Sequence, residues 1–392
     1  MSAGAGGAGA GDRDPDTRPV VLYDANFPPS LQRLLEKEVE ACGCCLSRGF
    51  DVIHSAAREA ASIRSRVVAL VTHLHPAIGA TQFKPLPALR VVSNYGVGTD
   101  HINAVEATAA GVSVGNTPGA MATTTADMGF ALLLAAARNV IQGHAICSGP
   151  GGAPWDPNWF GVEVTGACIG IVGMGRIGLE VAKRARGFDM SVLYHNRRPV
   201  PADKAAAAGD AEYCAALSDL LPRADFVVLC CPCNEETRHM ISKPQLAQMR
   251  GDAVLVNIGR GALVNQDDVI QALRDRTIRT YATDGACVGQ LHVRSPAAWL
   301  TWCVAAALCT TVYTVVFDAE PLPDDHPLRS CPHVVMTPHT GSATLAARSR
   351  MMKMVCANLR AGLAGNALPT GVNTIPRDVR EAKVAALLAS DS

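Results

Sequence analysis

Nine residues, Gly170-Ile171-Val172-Gly173-Met174-Gly175-Arg176-Ile177-Gly178, constrain this chain more than any others. An apolar run, Ala167 to Val172, leads into Gly173, Gly175 and Gly178, and Leu179 to Ala185 continues with helical character. A G-x-G-x-x-G between a strand and a helix is the dinucleotide-binding fingerprint in its required setting. The first glycine permits the tight turn, the second lets a pyrophosphate approach the backbone, and the third packs helix on strand. Phosphates then meet the free N–H groups and positive dipole end of the helix.

A chain of 392 residues has room for two domains. Its 35 basic and 35 acidic residues cancel, which points away from nucleic acid and anionic membranes as partners. The fourteen cysteines cluster at Cys42, Cys44 and Cys45 and again at Cys230, Cys231 and Cys233. Neither cluster has a companion His pair or C-x-x-C pair, so reduced thiols are expected and no metal site. Residues 1–18, Gly/Ala-rich and then mixed in charge, read as a disordered leader. They lack an apolar secretory core, and Asp12, Asp14 and Asp16 argue against a transit peptide, leaving a cytoplasmic location as the expectation.

From Pro19 onward, short apolar runs alternate with helical patterns: Val20–Tyr23, a helix over Leu31–Ala41, then runs at Val67–Thr72 and Leu89–Ser93. Strands separated by helices imply parallel β-α-β units. The third run ends in the Gly-rich turn Asn94–Asp100, at the strand end where open α/β sheets bind ligands. A long helix is predicted from Thr123 to about Ile141. Trp155, Trp159 and Phe160 follow in a Pro/Gly-rich arm that reads equally as a subunit interface or a local clasp. The strand Met190–Tyr194 ends in His195-Asn196-Arg197-Arg198, with no acid for the ribose hydroxyls of NAD. Two guanidiniums there can clamp a 2′-phosphate, so NADP(H) is preferred, with NAD(H) possible. Strands Phe226–Cys230 and Ala253–Ile258 come next, the second running into Gly259-Arg260-Gly261, an arginine aimed at a carboxylate.

The remaining motifs appear in a telling order. They are Asn94–Asn103, Asn116-Thr117-Pro118, Thr124-Thr125-Ala126-Asp127, Thr237-Arg238-His239-Met240-Ile241, Val256–Gly261, Val316-Phe317-Asp318-Ala319-Glu320-Pro321 and Thr337–Ala343. Between about Pro19 and Arg380 this series resembles the D-isomer-specific 2-hydroxyacid dehydrogenases, in particular the glyoxylate/hydroxypyruvate reductase branch. The resemblance implies two doubly wound parallel-sheet α/β domains, flavodoxin-like and Rossmann, with the active-site cleft between them. Residues 19–120 plus 337–385 would form the substrate domain, and 121–336 the NAD(P)-binding domain. It implies an Arg260–Glu320–His339 catalytic set and substrate contacts at Val97, Gly98, Arg260, His339 and Ser342. It implies cofactor contacts at Gly173, Gly175, Arg176, Ile177 and Gly178, at Asn196, Arg197 and Arg198, and at Thr125. Further cofactor contacts would come from Cys231, Thr237, Ile258, Gly259 and a nicotinamide-contacting Asp284. Reduction of a 2-keto acid needs a carboxylate anchor, a hydride donor and a proton source. Arg260 suits the first role, and His339, with an ordinary pKa of ~6.5 near working pH, suits the last. Glu320 would favour the imidazolium. The expected activity is NADPH-dependent reduction of glyoxylate or hydroxypyruvate by a homodimer. The alternatives are an NAD-linked dehydrogenase of the phosphoglycerate type and a catalytically impaired dinucleotide-sensing protein.

One stretch departs from the family pattern. Residues 285–315 separate the Thr283-Asp284 strand end from Val316, placing Arg260 and Glu320 unusually far apart in sequence. The stretch has Arg294 as its only charged side chain, carries Trp299 and Trp302, and no charge occurs between Pro296 and Phe317. By length the uncharged run Pro296–Phe317 could just span a bilayer as a helix, but four threonines and the flanking soluble domain argue against it. The stretch reads as non-family sequence, such as a retained intron or a misassigned exon boundary, with a genuine insertion as the alternative. Aggregation or local disorder is the expectation there.

Overall fold

The computed structural model describes residues 17–24, 27–55, 57–73, 77–149, 156, 159–284 and 325–390. They fall into two compact units, Met1–Pro118 with Ser349–Ser392, and Gly119–Arg348. The boundary at Arg348 lies inside the helix Leu345–Leu363.

The first unit is built on strands β1 (Val20–Tyr23), β2 (Cys45–Arg48), β3 (Val67–Thr72), β4 (Val91–Asn94) and β5 (Ser113–Gly115). Every pairing is parallel, in the order β2-β1-β3-β4-β5. That is the flavodoxin-like order, with its switch point between β1 and β3. Strands β1, β3 and β4 are buried at every position, as parallel strands covered on both faces must be. The edge strand β2, with no buried residue, lacks that apolar signature and is not legible in the sequence. The amphipathic helix Pro29–Ala41 buries Leu31, Leu35 and Val39, a 3.6-residue stripe, and Pro at its first position needs no N–H partner.

The second unit carries β6 (Cys168–Val172), β7 (Ser191–His195), β8 (Glu212–Cys214), β9 (Phe226–Leu229), β10 (Val254–Asn257), β11 (Thr280–Asp284) and β12 (Val334–Thr337). Their order, β12-β11-β10-β9-β6-β7-β8, is the Rossmann order with a seventh strand added at one edge. All its pairs are parallel, and the switch point lies between β6 and β9. The α/β class and both parallel sheets agree with the sequence reading.

The long helix predicted over 123–141 is two helices, Ala122–Ala137 and Val140–Ser148, bent by 65°. Asn139 sits between them at φ 53°, in the left-handed region that Asn tolerates better than most residues. The first helix packs its small face into the core, burying Ala126, Gly129, Leu133 and Ala136; the second buries nothing. Among the described residues no single helix is long and apolar enough to cross a membrane; that bent pair passes by length and composition together.

Candidate active site

Gly173 leaves β6 at φ 102°, and a Cβ there would lie 2.6 Å from the Cys231 backbone nitrogen. A Cβ on Gly178 would collide with the Gly173 carbonyl, so the third glycine is what lets the helix Arg176–Arg186 start this close to the strand. Gly175, at the helix N-cap, faces open space within 4 Å. Two glycines are thus demanded by the protein's own packing, whereas the second leaves room for a ligand. That is the arrangement a pyrophosphate needs, at the switch point and on the helix dipole. Arg176 and Ile177 open the helix.

Asn196 also braces this loop from within. Its Oδ1 accepts the Met174 N–H at 2.7 Å, and the Gly173 N–H donates to the His195 carbonyl at 3.0 Å. Arg197 and Arg198 project into solvent. Arg197 stands 3.9 Å from Glu236 with both side chains largely exposed, a pairing worth little in water.

At the end of β10, Asn257 is fully buried and works as a clamp. Its Oδ1 accepts the Gly259 N–H at 3.0 Å, an Asx turn, and its Nδ2 donates to the Arg260 carbonyl at 2.8 Å. Gly259 is pressed against Leu263 and the Cys231 carbonyl, where a Cβ would come within 2.7 and 2.9 Å. Arg260 follows in extended backbone, half-buried, with its guanidinium donating to the Gly259 carbonyl at 3.1 Å. Ile258 packs on Gly129, whose missing side chain admits it. The Cys231 thiol, pushed up to about 11 by burial, contacts the Met240 sulfur at 3.6 Å and behaves as a packing group. Thr237 spends its hydroxyl locally on the Pro232 carbonyl, at 2.8 Å.

At the end of β11, the buried Asp284 carboxylate gathers three donors from the chain beyond β12. Thr337 Oγ1 donates to Oδ1 at 2.7 Å, the Thr340 N–H to Oδ1 at 2.7 Å, and the Gly341 N–H to Oδ2 at 2.6 Å. Burial nonetheless raises its pKa, with these bonds pulling the other way. His339 lies inside the bracketed turn, half-buried, with φ 46° and its N–H on the Thr337 carbonyl. Gly341 lies against Thr125 of the helix Ala122–Ala137, and Ser342 beside it is buried. Glu320, the third member of the expected catalytic set, lies outside the described residues, as do Trp155 and residues 285–315.

In the first unit, the turn after β4 has its carbonyls drawn inward. The buried Asn94 donates to the Gly96 and Gly98 carbonyls at 3.0 and 2.7 Å, and Asn116 donates to the Val97 carbonyl at 2.8 Å. Among the described residues the Val97 and Gly98 N–H groups have no acceptor. At this sheet's own switch point, Asp24 accepts the Thr72 hydroxyl and the His73 N–H, each at 3.0 Å. Burial pushes its carboxyl up to about 7. No local pattern in the sequence marks the side chains of Asn94, Asn116 and Asp24 as braces of a site. The Asn257-x-Gly259 spacing of an Asx turn was the one signal available.

Comparison with known proteins agrees with this fold. Residues 130–307 match the family model for the D-isomer specific 2-hydroxyacid dehydrogenase NAD binding domain. A glyoxylate reductase of Pyrococcus furiosus is 41% identical over 313 residues, 78% of this chain and 82% of that protein. A glyoxylate reductase of Thermococcus onnurineus is 36% identical over 370 residues, 93% of this chain and 98% of its own length. Among solved structures, a Thermus thermophilus protein has TM-score 0.72 at 32% identity, covering 90% of this chain and 100% of that one. An NADPH-dependent glyoxylate/hydroxypyruvate reductase from Sinorhizobium meliloti, in complex with NADP and malonate, has TM-score 0.71 at 25% identity, covering 91% and 97%. The fold and these relatives together define a nicotinamide-dinucleotide dehydrogenase built from two parallel α/β sheets. The chain belongs to the D-isomer-specific 2-hydroxyacid dehydrogenase family.

Proposed function

We propose that the protein reduces a small 2-keto acid, glyoxylate or hydroxypyruvate, to the D-2-hydroxy acid with NADPH. The observation that carries this reading is a coincidence along one sheet edge. The dinucleotide loop, Arg260 and His339 follow the C-terminal ends of β6, β10 and β12 in the same seven-stranded sheet. In this reading the second unit holds the dinucleotide and the first is the substrate domain. When bound, the reduced nicotinamide supplies the hydride. Arg260 holds the substrate carboxylate and keto oxygen and stabilises the negative charge that develops on that oxygen. His339 donates the proton to it, and Glu320 is assigned to favour the imidazolium. The Val97 and Gly98 N–H groups, with their carbonyls drawn inward, are carboxylate donors, and Ser342 supports the substrate. Thr125, Asn196, Cys231, Thr237, Ile258, Gly259 and Asp284 are assigned to the cofactor's surroundings.

NADPH preference rests on Arg197 and Arg198, exposed and without an acid in the strand end that precedes them. The exposed apolar side chains of Val140, Ile141, Ile146 and Phe160 support a homodimer. Trp159, partly exposed, lies against the helix Val140–Ser148 at Gly143, 3.5 Å from where a Cβ there would be. A cytosolic location completes the proposal, and cell fractionation checks it. The decisive experiment is NADPH oxidation by the full chain with glyoxylate, hydroxypyruvate, pyruvate and phosphohydroxypyruvate, repeated with NADH. Preference for phosphohydroxypyruvate with NADH would favour the phosphoglycerate-type alternative. Cofactor binding without turnover of any substrate would favour a dinucleotide sensor.

A further inference from the structure

We propose that Asp284 is a positioning residue that fixes the backbone carrying the proton donor. The inference rests on the reading of His339 as that donor. A carboxylate has about four acceptor positions. Asp284 spends three of them on Thr337 Oγ1, the Thr340 N–H and the Gly341 N–H, which flank His339 on both sides. His339 has φ 46°, a left-handed conformation that persists in a non-glycine residue only when its surroundings over-determine it. The surroundings here are Asp284 on one side and Thr125 on the other. A Cβ on Gly341 would lie 2.7 Å from Asp284 Oδ2 and 3.4 Å from Thr125 Cγ2, so the turn has no space in which to shift. Register makes the bracket possible. β11 and β12 pair in parallel with Asp284 opposite Thr337, so the carboxylate reaches the residues just beyond β12. The Thr340 hydroxyl also bears on this carboxyl, so Asp284 is turned toward the turn that carries His339.

Asn at this position is close to Asp in shape but replaces one acceptor oxygen with an NH2 group, which would confront the Gly341 N–H. The turn would then relax around His339. A displacement of about 1 Å in a reacting group lowers turnover by up to about a hundredfold. Thr337 separates positioning from cofactor contact, because its hydroxyl donates to Asp284 at 2.7 Å and otherwise touches only the Met128 sulfur at 3.9 Å, and no cofactor contact is assigned to it.

The test measures kcat with the best keto acid, KM for NADPH, and NADPH affinity by fluorescence titration, all on the full chain. Asp284→Asn should lower kcat by about ten- to a hundredfold. Thr337→Val should lower it by about tenfold with NADPH affinity unchanged, and Thr337→Ser, which keeps the hydroxyl, should recover most of that loss. Parental kcat in Asp284→Asn, or a loss confined to NADPH affinity, overturns the proposal. So does an equal loss in Thr337→Val and Thr337→Ser. His339→Asn is measured alongside. If it turns over normally, the proton-donor reading itself fails. If it is inactive while the Asp284 and Thr337 variants remain active, only the positioning role falls.

Discussion

Asp24 and Asp284 close the same kind of corner in the two sheets. Each follows or ends a strand and accepts the hydroxyl of a threonine ending the neighbouring parallel strand, Thr72 or Thr337. Each also accepts backbone N–H groups just beyond that threonine, His73 in one case and Thr340 and Gly341 in the other. Both carboxyls are raised by burial. The difference is in what the corner holds. Asp284 has a third donor and encloses a histidine in a left-handed conformation. Asp24 has two and lies beneath a ring cluster in which Phe27 and His73 pack on Tyr95 at 5.1 and 5.3 Å. A corner that parallel sheets form readily has become part of the catalytic apparatus, in our reading, on one sheet and remains a brace on the other.

Exchanging the histidines separates the two corners most sharply. His339→Asn should lower kcat by about a thousandfold, the range of a lost general acid, while NADPH still binds. His73→Asn should change kcat by less than about tenfold; equal losses in steady-state assays would erase the contrast.

A second pair of variants tests whether the dinucleotide loop is independent of both corners. Gly178→Ala drives a methyl into the Gly173 carbonyl and should unfold the second unit or abolish dinucleotide binding. Gly175→Ala meets nothing in the free protein, so it should keep its melting temperature and lose at least about tenfold in NADPH affinity, roughly 1.4 kcal/mol. A Gly175→Ala protein that binds NADPH normally would remove the second glycine from the phosphate site. Arg197→Asp should reduce the NADPH-to-NADH ratio of kcat/KM by about tenfold or more and leave both aspartate corners untouched. An unchanged ratio assigns cofactor choice elsewhere.

The smallest effect concerns Asp24 alone and is read as stability. An unfolded aspartate titrates near ~3.9, whereas Asp24 holds its proton up to about 7. Between those values the folded state keeps a proton that the unfolded chain has released, so the contribution to stability falls as pH rises and is flat above about 7. Asp24→Asn should therefore raise stability at pH 8 by about 1–2 kcal/mol and change little at pH 4. Urea unfolding at the two pH values measures this; a stabilisation at pH 4 equal to that at pH 8 would show that titration is not the cause.

Local signals were legible and distant ones were not. The Gly173–Gly178 loop and the buried strands are written in contiguous residues, where periodicity and glycine spacing declare them, and so is the Gly259-Arg260-Gly261 turn to which we assign the substrate anchor. Strands β2 and β8 escaped because edge strands carry few buried positions. The break at Asn139 had a signal in the residue type itself, but the apolar pattern on either side masked it. The sequence makes Asn196 a candidate cofactor contact, and the fold gives its side chain a second partner, the Met174 N–H, 22 positions away. The donors that fill Asp284 lie 53 to 57 positions further on. Only the pairing of β11 with β12 brings them together, and no local pattern encodes that.

That pairing also bears on how the chain tolerates added sequence. Parallel neighbours require a long crossover in any case, and the entropy of closing a flexible loop grows only logarithmically with its length. Doubling such a connection costs about 0.6 kcal/mol, less than one good hydrogen bond to a charged group. Residues 285–333 connect β11 to β12, which among the described residues is the outermost strand of its sheet. A crossover to an edge strand can grow without threading past other strands. The chain can therefore lengthen here at small entropic cost while Asp284 and Thr337 keep their register.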